Sequence, residues 1–198
     1  YDYRPFPFVP PPGLTAPEPC HPVVIVGAGP VGLALAIDLA LHGVRTVVLD
    51  DNNVVSVGSR AICWAKRTLE ILDRIGCGDD IADKGVQWNV GRVYLQDREL
   101  YSFDLQPESG HKRPAFVNLP QYYVEAVLVN RVNDLHKTDL RWKNKVIGVS
   151  QDASTTTLSI QTPDGAYELY AAYEVACDGA RSPVRRALFV LASILVPI

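Results

Sequence analysis

The 198-residue sequence contains no methionine. The expectation is therefore that its first residue is not a native initiator. Cysteine is sparse, and Cys20, Cys63, Cys77 and Cys177 form no CxxC pair. Neither they nor the four histidines have the spacing of a metal site, so a structural zinc or an iron–sulfur cluster is not expected. Isolated cysteines of this kind read as reduced thiols, which implies a cytoplasmic setting. Charge of one sign is also lacking: the net charge is −3 and the basic residues are scattered. That gives no reason to expect nucleic acid or an anionic membrane as partner. No apolar run reaches the roughly 20 residues of a membrane span. No basic start precedes an apolar core, so no signal peptide is visible. The composition, 47% hydrophobic and 21% charged, is that of an ordinary globular protein.

Proline, by contrast, is concentrated. Residues 1–22 hold eight of the fifteen prolines, interleaved with Tyr1, Tyr3, Phe6 and Phe8. Such a segment cannot form a regular helix or central strand. It reads as an extended arm, either loose or laid over the surface by its aromatics.

The most informative stretch follows it. An apolar run, Val23–Val26, leads into Gly27-Ala28-Gly29-Pro30-Val31-Gly32 and a helical pattern to Leu41. A second run, Thr46–Leu49, ends at Asp50. Strand, glycine turn, helix, strand and acid is the context that gives a GxGxxG its meaning. Gly27 allows the tight turn, Gly29 lets a pyrophosphate approach the backbone, and Gly32 lets helix and strand pack closely. The helix N-terminus offers N–H groups and partial positive charge to the phosphates. Asp50 can accept from a ribose diol and disfavours a 2′-phosphate. The dinucleotide can be NAD, NADP or FAD, with NADP disfavoured.

Downstream, Gly43 sits where a helix cap belongs. Ala61, Ala65, Thr68, Leu72 and Ile75 recur at helical spacing up to Gly76. Gln87–Leu105 alternates around Gln96–Glu99 and predicts a β-hairpin. A helix is expected from Pro120 to Leu135, with Asn118 as cap and Val124, Val127, Leu128, Val132 and Leu135 as its apolar stripe. Runs at 145–150, 155–161 and 167–176 predict an antiparallel meander, with a Pro163-Asp164-Gly165 turn. The last strand delivers Cys177-Asp178-Gly179-Ala180-Arg181-Ser182 to a short helix from Pro183 to Leu188. An Asp-Gly turn there lies at the C-terminal edge of the sheet, where open α/β sheets bind ligands.

The glycine fingerprint and this Asp-Gly turn together resemble the FAD-dependent aromatic hydroxylases, the single-component flavoprotein monooxygenases, with 3-(3-hydroxyphenyl)propionate hydroxylases as the nearest likeness. Gly58-Ser59-Arg60-Ala61, Arg92-Val93-Tyr94, Leu119-Pro120-Gln121-Tyr122-Tyr123-Val124-Glu125 and Ser182-Pro183-Val184-Arg185-Arg186 extend the resemblance over residues 22–188. It implies an α/β fold: a Rossmann-like FAD-binding domain with a parallel sheet, an antiparallel meander and a partial substrate-domain hairpin. It implies a proline-rich arm at 1–22, the FAD-binding domain at 23–188 with 87–118 as the start of a substrate region, and an unmatched apolar tail at 189–198.

It further implies that Gly27, Gly29 and Gly32 hold the FAD pyrophosphate, that Ala28 and Pro30 belong to the same cofactor-binding stretch, and that Asp50 holds the adenosine ribose. Arg60 and Gln121 would contact FAD, and Asp178 with Gly179 would serve both FAD and the reduced nicotinamide. The implied chemistry is hydroxylation of a phenolic acid with FAD, NADH or NADPH, and O2. The flavin carries that chemistry, which accounts for the lack of a Ser/His/Asp set or acid–base dyad; no catalytic side chain is assigned. The family's later Gly-Asp motif and most of its substrate sheet are not in this sequence. The chain alone is expected to bind FAD weakly or not at all and not to hydroxylate. An NAD-dependent dehydrogenase and a non-catalytic nucleotide-binding module are the alternatives. The meander and the Asp178-Gly179 turn count against the first.

Overall fold

The computed structural model describes residues 2–58 and 60–188. The tail at 189–198 lies outside the described residues, as do Ser59 and Tyr1. The chain falls into two units, divided after Val55 and again after Arg131.

The first unit is built on a six-stranded sheet. It contains β1 (His21–Val26), α1 (Pro30–Leu41) and β2 (Thr46–Leu49) of the expected β-α-β motif. Val24–Val26 and Thr46–Leu49 are buried without alternation, as strands covered on both faces must be. Helix α1 buries Gly32, Leu33, Ala36, Ile37 and Ala40 and ends at Gly43, whose φ of +78° is the left-handed cap position. The meander occupies Lys145–Gln151, Thr156–Thr162 and Gly165–Ala176. Its strands run antiparallel, and the Pro163-Asp164-Gly165 turn closes its second hairpin as expected.

Two arrangements were not legible. The last meander strand pairs parallel with β1, so meander and β-α-β unit form one sheet. A further strand, Thr138–Arg141, pairs parallel with β2 at the opposite edge. Its four residues alternate charge with small or apolar groups and carry too short a pattern to read.

The proline-rich arm is laid on this unit. Phe6 stacks on Trp142 at 4.5 Å and exchanges two hydrogen bonds with Asn53. The stronger tie is ionic. Glu18 accepts from both terminal nitrogens of Arg141 at 2.8 and 2.7 Å, and the two side chains are only 6% and 5% exposed. Asp139, Tyr167 and Glu18 together satisfy the Arg141 guanidinium.

The second unit holds two small sheets and the helices beside them. The expected helix from Ala61 is shorter: it is α2, Lys66–Arg74. Cys63–Ala65 instead forms a strand against Phe116–Asn118, and Trp64 Nε1 donates to the Leu119 carbonyl. Alanine periodicity carries little burial energy, so strand pairing decides these residues. Helix α3 (Gly78–Lys84) was not foreseen, since it has one large apolar residue, Ile81; its early acids and late lysine suit the helix dipole.

The predicted hairpin is present as Val90–Leu95 and Arg98–Asp104, around a two-residue turn at Gln96-Asp97. Gln87 is not part of it; Val86–Trp88 pairs with Phe116–Asn118. Helix α4 spans Gln121–Leu135. Asn118 does not cap it, because its Oδ1 accepts from Trp88 Nε1 at 3.0 Å within the small sheet. The buried face of α4 is Val124, Glu125, Leu128, Val129 and Val132, so Glu125 takes a place the apolar pattern had given to Val127.

Two outcomes follow for stability. Removing Glu18 leaves Arg141 buried with less neutralisation, so Glu18→Ala should lower unfolding free energy by about 3 kcal/mol in a urea titration. In the second unit, the Arg113 hydrogen bond holds the Asp73 carboxyl down at about 2, with Lys112 adding to it against the effect of burial. A lowered carboxyl stabilises above its unfolded pKa of about 4 and loses that contribution as pH falls toward 2. Asp73→Asn should therefore flatten the fall in stability across that window. An unchanged acid slope would refute the assignment.

Candidate functional site

The glycine turn lies where β1 ends, between β2 and the last meander strand. Gly27 N–H donates to the Leu49 carbonyl at 2.8 Å, and Cys177 N–H donates to the Val26 carbonyl at 2.7 Å. Gly27 has φ +107°, and a Cβ there would collide with the Cys177 carbonyl. At Gly32 a Cβ would collide with the Gly27 carbonyl and crowd the Cys177 Cβ. These two glycines are required by the protein itself.

Gly29 is different. Its backbone is extended, at φ −78° and ψ −177°, which any residue adopts, and an added Cβ would meet nothing within 4 Å. The protein has no packing use for a glycine at this point. The open space beside it is a cradle next to the N-terminus of α1. Pro30 begins that helix, and its first turn contains no acid. A diphosphate fits backbone N–H groups at a helix start whose first turn carries no acid.

Asp50 stands at the end of β2 beside the turn. Its Oδ2 accepts from Ala28 N–H at 2.7 Å and its Oδ1 from Asn52 N–H at 2.8 Å. The carboxylate thus braces the turn. Asp178 is placed at the other side, after the last strand. Its Oδ2 accepts from Ser182 Oγ at 2.8 Å and from Val184 N–H at 3.2 Å. Ser182 in turn caps the helix Pro183–Ala187 by accepting from Arg185 N–H. Gly179 has φ +82° and open space where a Cβ would be, so here conformation and not packing calls for glycine.

Glu174, which sequence reasoning passed over, lies on the strand leading into this turn. Its Oε1 is buried without a partner, and burial, then the nearby Asp178 charge, push the carboxyl up to about 7. Burial also pushes the Cys177 thiol up, helped by Asp178 and Glu174, so it is not an activated nucleophile. The available signal was a lone acid in the otherwise uncharged run Tyr173–Ala176.

Arg60 and Gln121 belong to the second unit. Arg60 is exposed. Gln121 begins α4, and its Nε2 donates to Glu125 Oε1 at 2.7 Å and to Ser56 Oγ at 3.1 Å. Glu125 is 2% exposed and also accepts from Ser56 N–H at 2.5 Å and Ser56 Oγ at 2.7 Å. Ser56 and Glu125 were not singled out from sequence, although Glu125 follows Gln121 by one helical turn, the spacing at which side chains meet. Among the described residues, no three or more His, Cys, Asp or Glu are grouped to hold a metal ion. Among the described residues, no helix is long and apolar enough to cross a membrane.

Comparison with known proteins adds the family. The sequence pattern of the FAD binding domain matches residues 21–192. Para-nitrophenol 4-monooxygenase of a Pseudomonas species is 33% identical over 174 residues, covering 84% of this chain and 42% of its own length. The 3-(3-hydroxy-phenyl)propionate/3-hydroxycinnamic acid hydroxylase of Mycolicibacterium smegmatis is 31% identical over 168 residues, covering 85% of this chain and 30% of its own. Among solved structures, p-nitrophenol 4-monooxygenase from Pseudomonas putida superposes with a TM-score of 0.79 at 34% identity, over 85% of this chain and 43% of that one. The anhydrotetracycline hydroxylase from Streptomyces rimosus gives 0.75 at 34% identity, over 86% of this chain and 34% of its own. The chain thus spans less than half the length of these relatives. With its glycine turn, its sheet and its Asp-Gly turn in the arrangement described, the chain belongs to the FAD-binding domain family found in the FAD-dependent aromatic hydroxylases.

Proposed function

We propose that this chain is the FAD-binding part of a flavin-dependent monooxygenase that hydroxylates a phenolic acid, with NADH or NADPH as reductant and O2 as the oxygen source. The observation that carries the reading is the empty space at Gly29, where neither backbone conformation nor packing explains a glycine. Gly27, Ala28, Gly29, Pro30 and Gly32 hold the pyrophosphate. Asp50, already braced by Ala28 and Asn52, accepts from the adenosine ribose. Arg60 and Gln121 contact other parts of FAD, and Asp178 with Gly179 serve FAD and the nicotinamide.

FAD, when bound, would supply the redox chemistry between the nicotinamide and O2, and the chain's own residues would bind and orient it. Relatives that include a p-nitrophenol monooxygenase and a hydroxyphenylpropionate hydroxylase support an aromatic substrate. The domain limits read from sequence, with the arm at 1–22 and the substrate region starting within 87–118, belong to this proposal. So does a cytoplasmic setting, which the four unpaired cysteines favour. By itself the chain binds FAD weakly and does not hydroxylate, because the relatives carry more than twice its length.

A flavin fluorescence titration with NAD as control checks the cofactor. Saturable but weak FAD binding, with no hydroxylated product from a phenolic acid plus NADH, is expected. Preference for NAD would favour the dehydrogenase, and turnover would refute the inactive state of the chain.

A paired substitution checks the cradle. Gly29→Asn keeps a good helix N-cap, so stability should change by less than about 0.5 kcal/mol while FAD binding is lost. Gly32→Ala should cost about 1–3 kcal/mol through overpacking against Gly27. Equal FAD affinity in Gly29→Asn would remove the pyrophosphate from this turn.

A further inference from the structure

Within the first unit, Asp50 opens a loop, residues 50–53, that forms neither helix nor strand. The loop is held from two sides. On one side lie the end of the edge strand Thr138–Arg141 and the residues after it. Asp50 N–H donates to the Arg141 carbonyl at 3.0 Å, Lys143 N–H to the Asn52 carbonyl at 3.0 Å and Asn144 N–H to the Asp50 carbonyl at 2.8 Å. On the other side lies the proline-rich arm. Phe6 N–H donates to the Asn53 carbonyl at 2.7 Å, and Asn53 Nδ2 donates back to the Phe6 carbonyl at 3.0 Å.

The sequence explains why Phe6 makes this contact. It lies between Pro5 and Pro7, neither of which has an N–H. Phe6 carries the one donor of the three, and the proline after it favours extended backbone. An extended residue presents its N–H and C=O to the same side, so both reach Asn53. Its ring lies flat on Trp142, at 4.5 Å and 7° between planes. Trp142 belongs to the segment that grips the loop from the other side. The arm is fastened to that segment a second time, through Glu18 and the buried Arg141. Tyr167 links Arg141 to Asn144, accepting from the first at 3.2 Å and donating to Oδ1 of the second at 2.8 Å. The arm, residues 141–144 and the loop thus close a ring of contacts around Asp50.

We propose that the arm is a positioning element for the adenosine end of the cofactor site: Phe6, through Asn53 and Trp142, holds loop 50–53 in the conformation that presents Asp50. The proposal rests on the reading of Asp50 as the acceptor for the adenosine ribose, and it adds the residues that fix that acceptor. A loop ordered at folding need not be ordered again when a ligand arrives. Ordering the backbone of one residue at the moment of binding weakens affinity about tenfold. Pro5 and Pro7 have little backbone freedom to lose, which lowers the cost of keeping the arm in place. Phe6 acts through the loop and touches no ligand itself.

The experiment is a titration of the isotope-labelled chain with FAD and with ADP, read by NMR, which detects weak binding. ADP carries the adenosine and the diphosphate without the flavin. Phe6→Ala should stay folded, since Glu18 still fastens the arm, and both affinities should fall about tenfold. Phe6→Tyr keeps the ring and the backbone bonds and should bind both ligands as the unaltered chain does. Asn53→Ala removes only the side-chain bond to Phe6. It should weaken both ligands by a smaller factor, and it takes the place of Phe6→Ala if that variant does not fold. Before any ligand is added, the Lys143 and Asn144 amides, which bond to the loop carbonyls, should exchange faster with solvent in Phe6→Ala. Asp50→Ala should weaken both ligands, and adding Phe6→Ala to it should cost nothing more, because Phe6 acts only through the presentation of Asp50.

Unchanged FAD and ADP affinities in Phe6→Ala, with Asp50→Ala weakened, would overturn the role of the arm and leave Asp50 as the ribose contact. Losses that add in the double variant, a loss seen with FAD but not with ADP, or unchanged exchange at Lys143 and Asn144 would overturn it as well. Asp50→Ala binding both ligands as tightly as the unaltered chain would sink the reading of Asp50, and the proposal with it.

Discussion

Everything at the cofactor side of this chain depends on how closely α1 approaches the end of β1. Gly27 and Gly32 stand where a Cβ would strike a backbone carbonyl, from Cys177 in one case and from Gly27 in the other. The contact brings three chain segments together: the end of β1, the start of α1 and the end of the last meander strand. The parallel pairing of that strand with β1, from His21 against Ala171 to Val26 against Ala176, delivers Cys177 and Asp178 to the turn. The meander is therefore not an appendage. Its register sets where the Asp-Gly turn falls.

A second constraint acts at the far edge of the same sheet. Arg141 ends the edge strand and is almost fully buried, with Glu18, Asp139 and Tyr167 around its guanidinium. A buried guanidinium of this kind costs several kcal/mol of desolvation unless its donors are met. Glu18 supplies much of that compensation from a segment whose prolines forbid a strand of its own. The arm is held by charge as well as by Phe6 on Trp142, so a segment that looks like a linker by composition is part of the folded unit.

How far the sequence could be read follows from how local each signal is. The β-α-β unit, the meander and the Pro163-Asp164-Gly165 turn are written in contiguous residues, and all were legible. The strand at Thr138–Arg141 was not, because its place depends on pairing with β2, about ninety residues earlier. Cys63–Ala65 shows the reverse error: a weak helical period yields to pairing with Phe116–Asn118. Asn118 has the chemistry of a cap, but Trp88 takes its oxygen. At the site, Gly27 and Gly32 were legible as structural requirements because a Cβ at either would strike a backbone carbonyl. Ser56 and Glu125 were not, since nothing in the local pattern says that a loop serine meets a helix glutamate across sixty-nine positions.

The acids of the candidate site share one pattern and one exception. Asp50, Asp178 and Glu125 each accept from backbone N–H groups, so their charge organises a turn or a helix start before any ligand is considered. Charge-assisted bonds to backbone donors are strong and hold these loops in place. Glu174 has no such donors at its buried Oε1, and burial, then the Asp178 charge, push its carboxyl up to about 7. That difference bears on the proposed binding of a diphosphate at the turn. An ionised Glu174 would add a second negative charge near Asp178 on the strand that forms one wall of the turn. Held protonated, it leaves the positive end of α1 opposed by less charge.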